Sequence, residues 1–420
     1  MTISDSVGAP GSVDSPRPVE SPGQSLPVAR GCPFSQPQQY ARLRERGPVG
    51  TVRLADGAEA YWISGHEEGR AVLTDRRFSS DRRLPGFPVL DPDPGTRKRL
   101  ISQPPTMIGM DAPEHTAARR AVLGEFTLKR LTALRPRVQS IVDRFVDEML
   151  AAETHPVDLV RALSLPVPSL VICELLGVPY GDHDFFQERT ATVIRRTNPS
   201  QARQQAFAEL RSYMGDLITR KETEPGDDLF SRQIAKQRAE GTFDHEAMVS
   251  TAFLLLLAGH ETTANMISLG VLALLRHPDQ LALITADPAR TPLAVEELLR
   301  YFAIADLVTS RVATEDVTVG GVTIEAGSGV VVSGLSVNWD PEVFPDPAEL
   351  DLGRGARNHI AFGFGPHQCL GQNLARAELQ IVFDTLFRRI PGLRLAVPVE
   401  DIPFKTDAGL YGAYELPVTW

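Results

Sequence analysis

Phe362-Gly-Phe-Gly365-Pro-His367-Gln-Cys369-Leu-Gly371 is the stretch on which the reading of this chain turns. Two glycines and a proline shape a tight loop, and a helix is predicted to begin just after the cysteine. A cysteine at a helix N-terminus feels the positive end of the dipole, which favours thiolate over thiol. Gly365 and Gly371 would let the backbone come close to a flat ligand. Backbone amides after Cys369 could donate hydrogen bonds to its sulfur and tune its electron donation. A lone cysteine is most often a small buried apolar side chain. That suits Cys173, set in the apolar run Leu170 to Leu176, but leaves the dense pattern around Cys369 unexplained.

Three further motifs lie upstream. A helix is predicted from Asp244 to Arg276, which at 1.5 Å per residue is about 50 Å long, enough to cross a domain. At its middle sits Ala258-Gly259-His260-Glu261-Thr262-Thr263. Glycine there costs about 1 kcal/mol relative to alanine, and threonines can bond back to backbone carbonyls and loosen the turn. Taken alone, this reads as a kink relieved by packing. Glu297 and Arg300 share a helix face at i,i+3, a spacing usually met in solvated pairs. In Met110-Asp-Ala-Pro-Glu-His115-Thr-Ala-Ala-Arg119-Arg120, Pro113 suits a helix start and Glu114 its first turn. His115 and Arg119, at i,i+4, point the same way, and two donors on one face suit a pair of carboxylates.

Around these motifs the chain organises simply. Residues 1–30 are rich in Pro, Ser and Gly with few large apolar side chains, so a mobile tail is expected. Residues 31–420 are expected to form a single catalytic domain. Val49–Leu54 and Glu59–Ile63 read as a hairpin turning at Asp56-Gly57. Residues 84–113, full of Pro and Gly, read as a long functional loop. Helices are predicted near 114–134, 136–152, 158–176, 182–197, 201–222, 244–276, 278–285 and 291–301, with another from Leu370 to about Phe387. Short strands are predicted at Val308–Ala313, Val317–Val319, Val322–Ile324 and Gly329–Gly334, and strand and turn after Leu393. The fold class is mostly α, an α+β fold with small sheets.

A formal net charge of −10 argues against wholesale nucleic-acid binding. The densest apolar run, Phe253 to Ala258, is far short of the ~20 residues a bilayer needs, so no membrane span is expected. The start lacks the basic and apolar regions of a signal peptide. Three widely spaced cysteines argue against a disulfide framework and fit a reducing cytoplasm.

The cysteine segment resembles the ligand loop of the cytochrome P450 superfamily, Phe-x-x-Gly-x-His/Arg-x-Cys-x-Gly, at every signature position. The likeness extends from about Gly31 to Trp420. Leu416-Pro-Val-Thr-Trp420, Cys32-Pro-Phe34 and Phe78-Ser-Ser-Asp81 look most like the soluble actinobacterial branch. The resemblance implies the P450 fold, with heme b buried between the long helix and the cysteine loop and its iron ligated by Cys369. Phe362, Gly365, Gly371, Ala258 and Gly259 would lie against the heme, and His115, Arg119, Arg311 and His367 would hold its propionates. Thr262 and Glu261 match the family's alcohol–acid pair, which delivers protons to bound oxygen. Glu297 and Arg300 match its buried Glu-x-x-Arg pair. Arg354 is the substitute for the usual third partner, since Pro347-Ala348-Glu349 lacks that arginine. Trp339, in Asn338-Trp-Asp-Pro341, replaces the usual arginine.

The implied activity is insertion of one oxygen atom from O2, by hydroxylation or epoxidation, into a bulky apolar small molecule, a secondary metabolite such as a macrolide. Electrons would come from a ferredoxin and its NAD(P)H-dependent reductase, to a monomeric cytoplasmic enzyme. The pocket would be lined by 84–107, parts of 178–200, Leu254, Leu255, 304–308 and 405–411; Arg82, Arg83 and Arg97 could meet an acidic or hydroxylated group at its mouth, although solvated charges are the commoner outcome. The rivals are a peroxide-dependent peroxygenase, disfavoured by the intact Glu261–Thr262 pair, and a non-enzymatic heme sensor, which needs no proton relay.

Overall fold

Alternating apolar residues in Val49–Leu54 and Glu59–Ile63 bury one face each, and the two strands pair antiparallel with Val49 opposite Ile63. Gly57, at φ +83°, closes their turn, as Asp56-Gly57 suggested. In the computed structural model, which describes residues 25–420 apart from 92 and 94, this hairpin anchors a six-stranded sheet. Gly329–Val332 adds parallel to Glu59–Ile63, then Ser310–Ala313 and Phe78–Ser79 follow antiparallel. Val317–Val319 pairs with Val322–Ile324, and near the C-terminus Arg394–Leu395 and Pro417–Thr419 form a small sheet with Val157–Asp158.

The rest is helical. The main core lies between Leu128–Leu150, Glu261–Arg276, Thr291–Phe302 and Gln372–Arg389, and a second apolar cluster joins Ile172 through Leu256. Among the described residues, no single helix is long and apolar enough to cross a membrane.

Several expected boundaries move. The break near Pro136 is absent: Leu128–Leu150 runs through that proline because its stripe Val138, Ile141, Val142, Phe145, Val146 and Met149 is buried. The chain breaks instead at Gly124–Phe126, after Glu114–Leu123. Leu229–Glu240 is an additional helix, capped by Asp228 accepting from the Ser231 amide at 3.0 Å. Its apolar side chains cluster at one end, so periodicity hides it. The 84–113 loop is not structureless, since Gly95–Ser102 is a polar helix.

The expected tail reaches residue 30, and residues 1–24 lie outside the described residues. Ser25–Leu26 pairs with Arg53–Leu54, and the buried Arg30 guanidinium donates to the Phe302 and Pro33 carbonyls. The body therefore begins by residue 25, because a cation and an apolar side chain are both tied into the core.

The Glu297–Arg300 pair is fully buried, with Nε–Oε2 and Nη2–Oε1 both 2.8 Å. Arg354 Nε donates to Glu297 Oε1 at 3.2 Å, as expected of the third partner. Trp339 takes the place of the missing arginine as a packing residue, its indole donating to the Tyr301 carbonyl at 2.9 Å.

Candidate active site

The cysteine loop folds onto itself first. The Cys369 amide donates to the Phe362 carbonyl at 2.8 Å, and Gly365 adopts φ +70°. A side chain at Gly365 would meet the Leu73 carbonyl at 2.6 Å, so glycine is needed there twice over. Gly365 therefore shapes the loop against Leu73 and is not among the residues lining the cavity, contrary to expectation; Gly371 is. The following helix, Gln372–Arg389, starts two residues later than predicted.

The loop presents Cys369 to a cavity of about 300 Å³. The thiol surface is open to that cavity, not to bulk water, and burial raises its pKa. The amides of Gly371 and Gln372, with Arg119 and Arg376, pull the other way and favour the thiolate. Cys173, by contrast, is an ordinary buried thiol pushed up to about 12 by burial.

Opposite lies the long helix, in two pieces: His245–Gly259 and Glu261–Arg276, interrupted at His260. The reason for Gly259 is neighbouring chain: a Cβ there would sit 2.7 Å from Ile172 Cδ1. Ala258, Gly259, Thr262 and Thr263 border the cavity. Thr262 Oγ1 donates to the Ala258 carbonyl at 2.8 Å, the back-bonding the sequence suggested. His260 is fully buried, edge-on to Phe186, with Nδ1 2.8 Å from the Leu256 carbonyl. Glu261 does not line the cavity; its carboxylate pairs with Lys405.

His115 and Arg119 from one helix, Arg311 from a strand and His367 from the cysteine loop converge on the cavity. The His115 and His367 rings lie 3.9 Å apart, and Ser80 Oγ is 3.1 Å from His367 Nε2. Burial, with the Arg311 and Arg119 guanidiniums and the His115 ring nearby, pushes His367 down to about 3, and burial with Arg119 lowers His115 as well, which favours neutral imidazoles. Burial lowers Arg311 to about 10, which leaves it charged. Arg311 Nη1 donates to the Ser310 carbonyl at 2.8 Å, and Arg119 Nη2 to the Gln368 carbonyl at 2.6 Å. Two guanidiniums and two imidazoles on one rim form a donor set that two carboxylates would satisfy.

The remaining lining is largely apolar: Phe87, Met107, Ile108, Leu254, Leu255, Ile304 and Val308 contribute. Pro85, Pro88 and Leu90 do not reach it, and neither 178–200 nor 405–411 borders it. Arg196, Lys405, Thr406, Ala408, Gly409 and Tyr411 instead surround a second, polar pocket of about 60 Å³, which shares Ala303 and Ile304 with the first. Lys405 and Asn265 carry no family pattern in the sequence; only the packing of distant segments brings them together beside Glu261.

A donor-rimmed, apolar chamber with one sulfur aimed into it fits a flat dianionic group that carries a metal, so fold and site define a heme-thiolate protein. The family model for cytochrome P450 matches residues 47–286 and 291–403. The chain is 50% identical over 397 residues to pentalenic acid synthase of Streptomyces avermitilis, covering 94% of this chain and 97% of that one. It is 46% identical to vitamin D3 dihydroxylase of Streptomyces griseolus over 419 residues, the whole of both. The crystal structure of cytochrome P450 MoxA from Nonomuraea recticatena superposes with a TM-score of 0.89 at 70% identity, covering 94% of this chain and 98% of that one. The chain belongs to the cytochrome P450 family and is a P450 monooxygenase whose cofactor is a cysteine-ligated heme.

Proposed function

We propose that Cys369 supplies the iron ligand and that His115, Arg119, Arg311 and His367 hold the propionates, in an enzyme that oxidises a bulky, mostly apolar secondary metabolite at one carbon. The observation that carries this reading is the aim of the Cys369 sulfur into a chamber whose rim gathers those four donors. The heme, when bound, supplies the activation of O2 and the transfer of one oxygen atom to substrate, as hydroxylation or epoxidation.

The chain's own residues do the rest. The Gly371 and Gln372 amides donate toward the sulfur and favour its thiolate against the effect of burial. Phe87, Leu254, Leu255 and Ile304 exclude water and bind an apolar body. The Thr262 hydroxyl, its proton given to the Ala258 carbonyl, keeps lone pairs facing the cavity and can hold a water there. Glu261 is the acid that feeds that water once its carboxylate leaves Lys405. The names of two relatives, one a pentalenic acid synthase and the other a vitamin D3 dihydroxylase, agree with a bulky carbon skeleton as substrate. Macrolides are substrates of the same kind.

Electrons come from a ferredoxin and its NAD(P)H-dependent reductase. Arg120 and Lys129 flank the exposed Leu123 and Leu128, a basic surface with an apolar centre that suits an acidic partner.

The test is the ferrous carbon monoxide complex of the purified protein. The parent should show the red-shifted Soret band of a thiolate heme, and Cys369→Ala should lack it. A normal band in that variant overturns the assignment.

A further inference from the structure

Phe78-Ser-Ser-Asp-Arg82-Arg83 leads from the sheet into the 84–113 segment, and Arg82, Arg83 and Arg97 are the three arginines expected at the cavity mouth. The structure separates them. Arg83 turns outward and binds Asp81 through Nε at 2.9 Å and Nη2 at 2.8 Å. Arg97 is spent on backbone, donating to the Pro85 carbonyl at 2.8 Å and the Phe87 carbonyl at 3.0 Å. Arg82 alone turns inward. It lines the cavity, its stem lies beside Gly109, and its guanidinium has no hydrogen-bond or ion-pair partner among the described residues.

The charges around it do not balance. Among the described residues that line the cavity, the one carboxyl is Glu378, which burial raises to about 8 and keeps neutral near pH 7. Asp111 lies close enough to act on His115 and Arg311, whereas Arg82 is within reach of the Arg311 charge and no carboxylate acts on it. Two propionates would balance Arg119 and Arg311. Arg82 is then a surplus cation facing apolar side chains, a costly arrangement unless a ligand brings the counter-charge.

We propose that Arg82 is the specificity-determining anchor for a substrate that carries a carboxylate on its bulky apolar frame. The proposal rests on the heme-thiolate reading above. The planar guanidinium offers the paired donors that a carboxylate accepts side by side. Phe87, Met107 and Ile108, which line the same cavity, would receive the adjoining hydrocarbon. The substrate would thus be held at its acidic end, leaving a carbon remote from that end to be oxidised.

The experiment titrates the holoenzyme with matched probes: dodecanoic acid against 1-dodecanol, and lithocholic acid against its methyl ester. The readouts are the heme spin-state shift and calorimetric binding. The acids should bind about tenfold or more tighter than their neutral partners, the range of a charge-assisted hydrogen bond. Arg82→Gln should erase that preference, and Arg82→Lys should keep part of it. Acids that fail to bind, equal affinities within each pair, or a preference that survives Arg82→Gln overturn the proposal. So does an Arg82→Gln protein that loses heme and weakens acids and neutral partners alike, because Arg82 then serves the propionates. A parent protein without the thiolate band brings down the underlying reading instead, whatever the titrations give.

Discussion

Lys405 and Glu261, 144 residues apart in the chain, form an ion pair with side chains only 11% and 10% exposed. The same ammonium donates to Asn265 Oδ1 at 2.8 Å, so Lys405 ties the segment before the C-terminus to the second half of the long helix. Removing one member of a buried pair leaves the other charge uncompensated, at a cost of about 3–5 kcal/mol. Lys405→Met should therefore lower the thermal midpoint by several degrees, and adding Glu261→Gln should recover much of the loss. A double variant no more stable than Lys405→Met alone would show that the lysine acts through its stem and not its charge.

The proposed propionate cradle gives the second expectation. Arg119 and Arg311 carry the two full charges on the rim, while His115 and His367 are neutral donors. Each charge-assisted hydrogen bond is worth about 1.5–3 kcal/mol. Arg119→Ala with Arg311→Ala should therefore speed heme transfer to a scavenger such as apomyoglobin by about a hundredfold or more. Arg119 also braces the Gln368 carbonyl, so the two single variants are measured beside the double. Unchanged retention in the double variant would displace these residues from the cradle.

Glu378 gives a stability prediction with a definite sign. Its carboxyl is buried in the helix after Cys369, Oε2 has no partner among the described residues, and burial raises its pKa from 4.5 to about 8. Below pH 4.5 both folded and unfolded chains hold the proton, and the group costs nothing in this respect. Between 4.5 and 8 the folded chain keeps a proton that the unfolded chain has released, so stability falls as pH rises. Above pH 8 the penalty is complete, on the order of a few kcal/mol. Glu378→Gln should raise the thermal midpoint over the parent more at pH 8.5 than at pH 5.5. A gain independent of pH would assign it to packing.

Most of the active-site frame is legible in the chain because local chemistry specifies it. Gly365 is set by the positive φ of its tight loop, although its close contact with Leu73 is not legible, and Thr262 by the four-residue reach back to Ala258. Phe362, Gly371, Ala258 and Gly259 border the cavity, as do His115, Arg119, Arg311 and His367. Legibility ends where distant segments meet. Nothing near Glu261 in sequence announces Lys405, and nothing in Phe78-Ser-Ser-Asp-Arg-Arg says which arginine turns inward. Helix boundaries fail for the same reason. Pro136 is overridden by buried neighbours, and Leu229–Glu240 lacks an apolar stripe to announce it.

Thr262 is expected to control how many electrons end in product. Its hydroxyl donates to Ala258 and faces the cavity, where it can hold the water that passes a proton to bound oxygen. Without that water, reduced oxygen should leave as hydrogen peroxide. Thr262→Ala should leave heme binding and the first reduction intact, and should keep consuming NAD(P)H while product falls and peroxide accumulates. Glu261→Gln should instead slow the whole cycle, because it removes the proton source and leaves the water's anchor. Thr263 also borders the cavity, although it stands about 100° away on an ideal helix, and its alanine variant should stay coupled. Cofactor, product and peroxide are measured together for the three variants. Uncoupling by Thr263→Ala with Thr262→Ala still coupled would shift the motif by one residue. If neither variant uncouples, protons arrive by another route, and a peroxide-using cycle becomes the better account of this site.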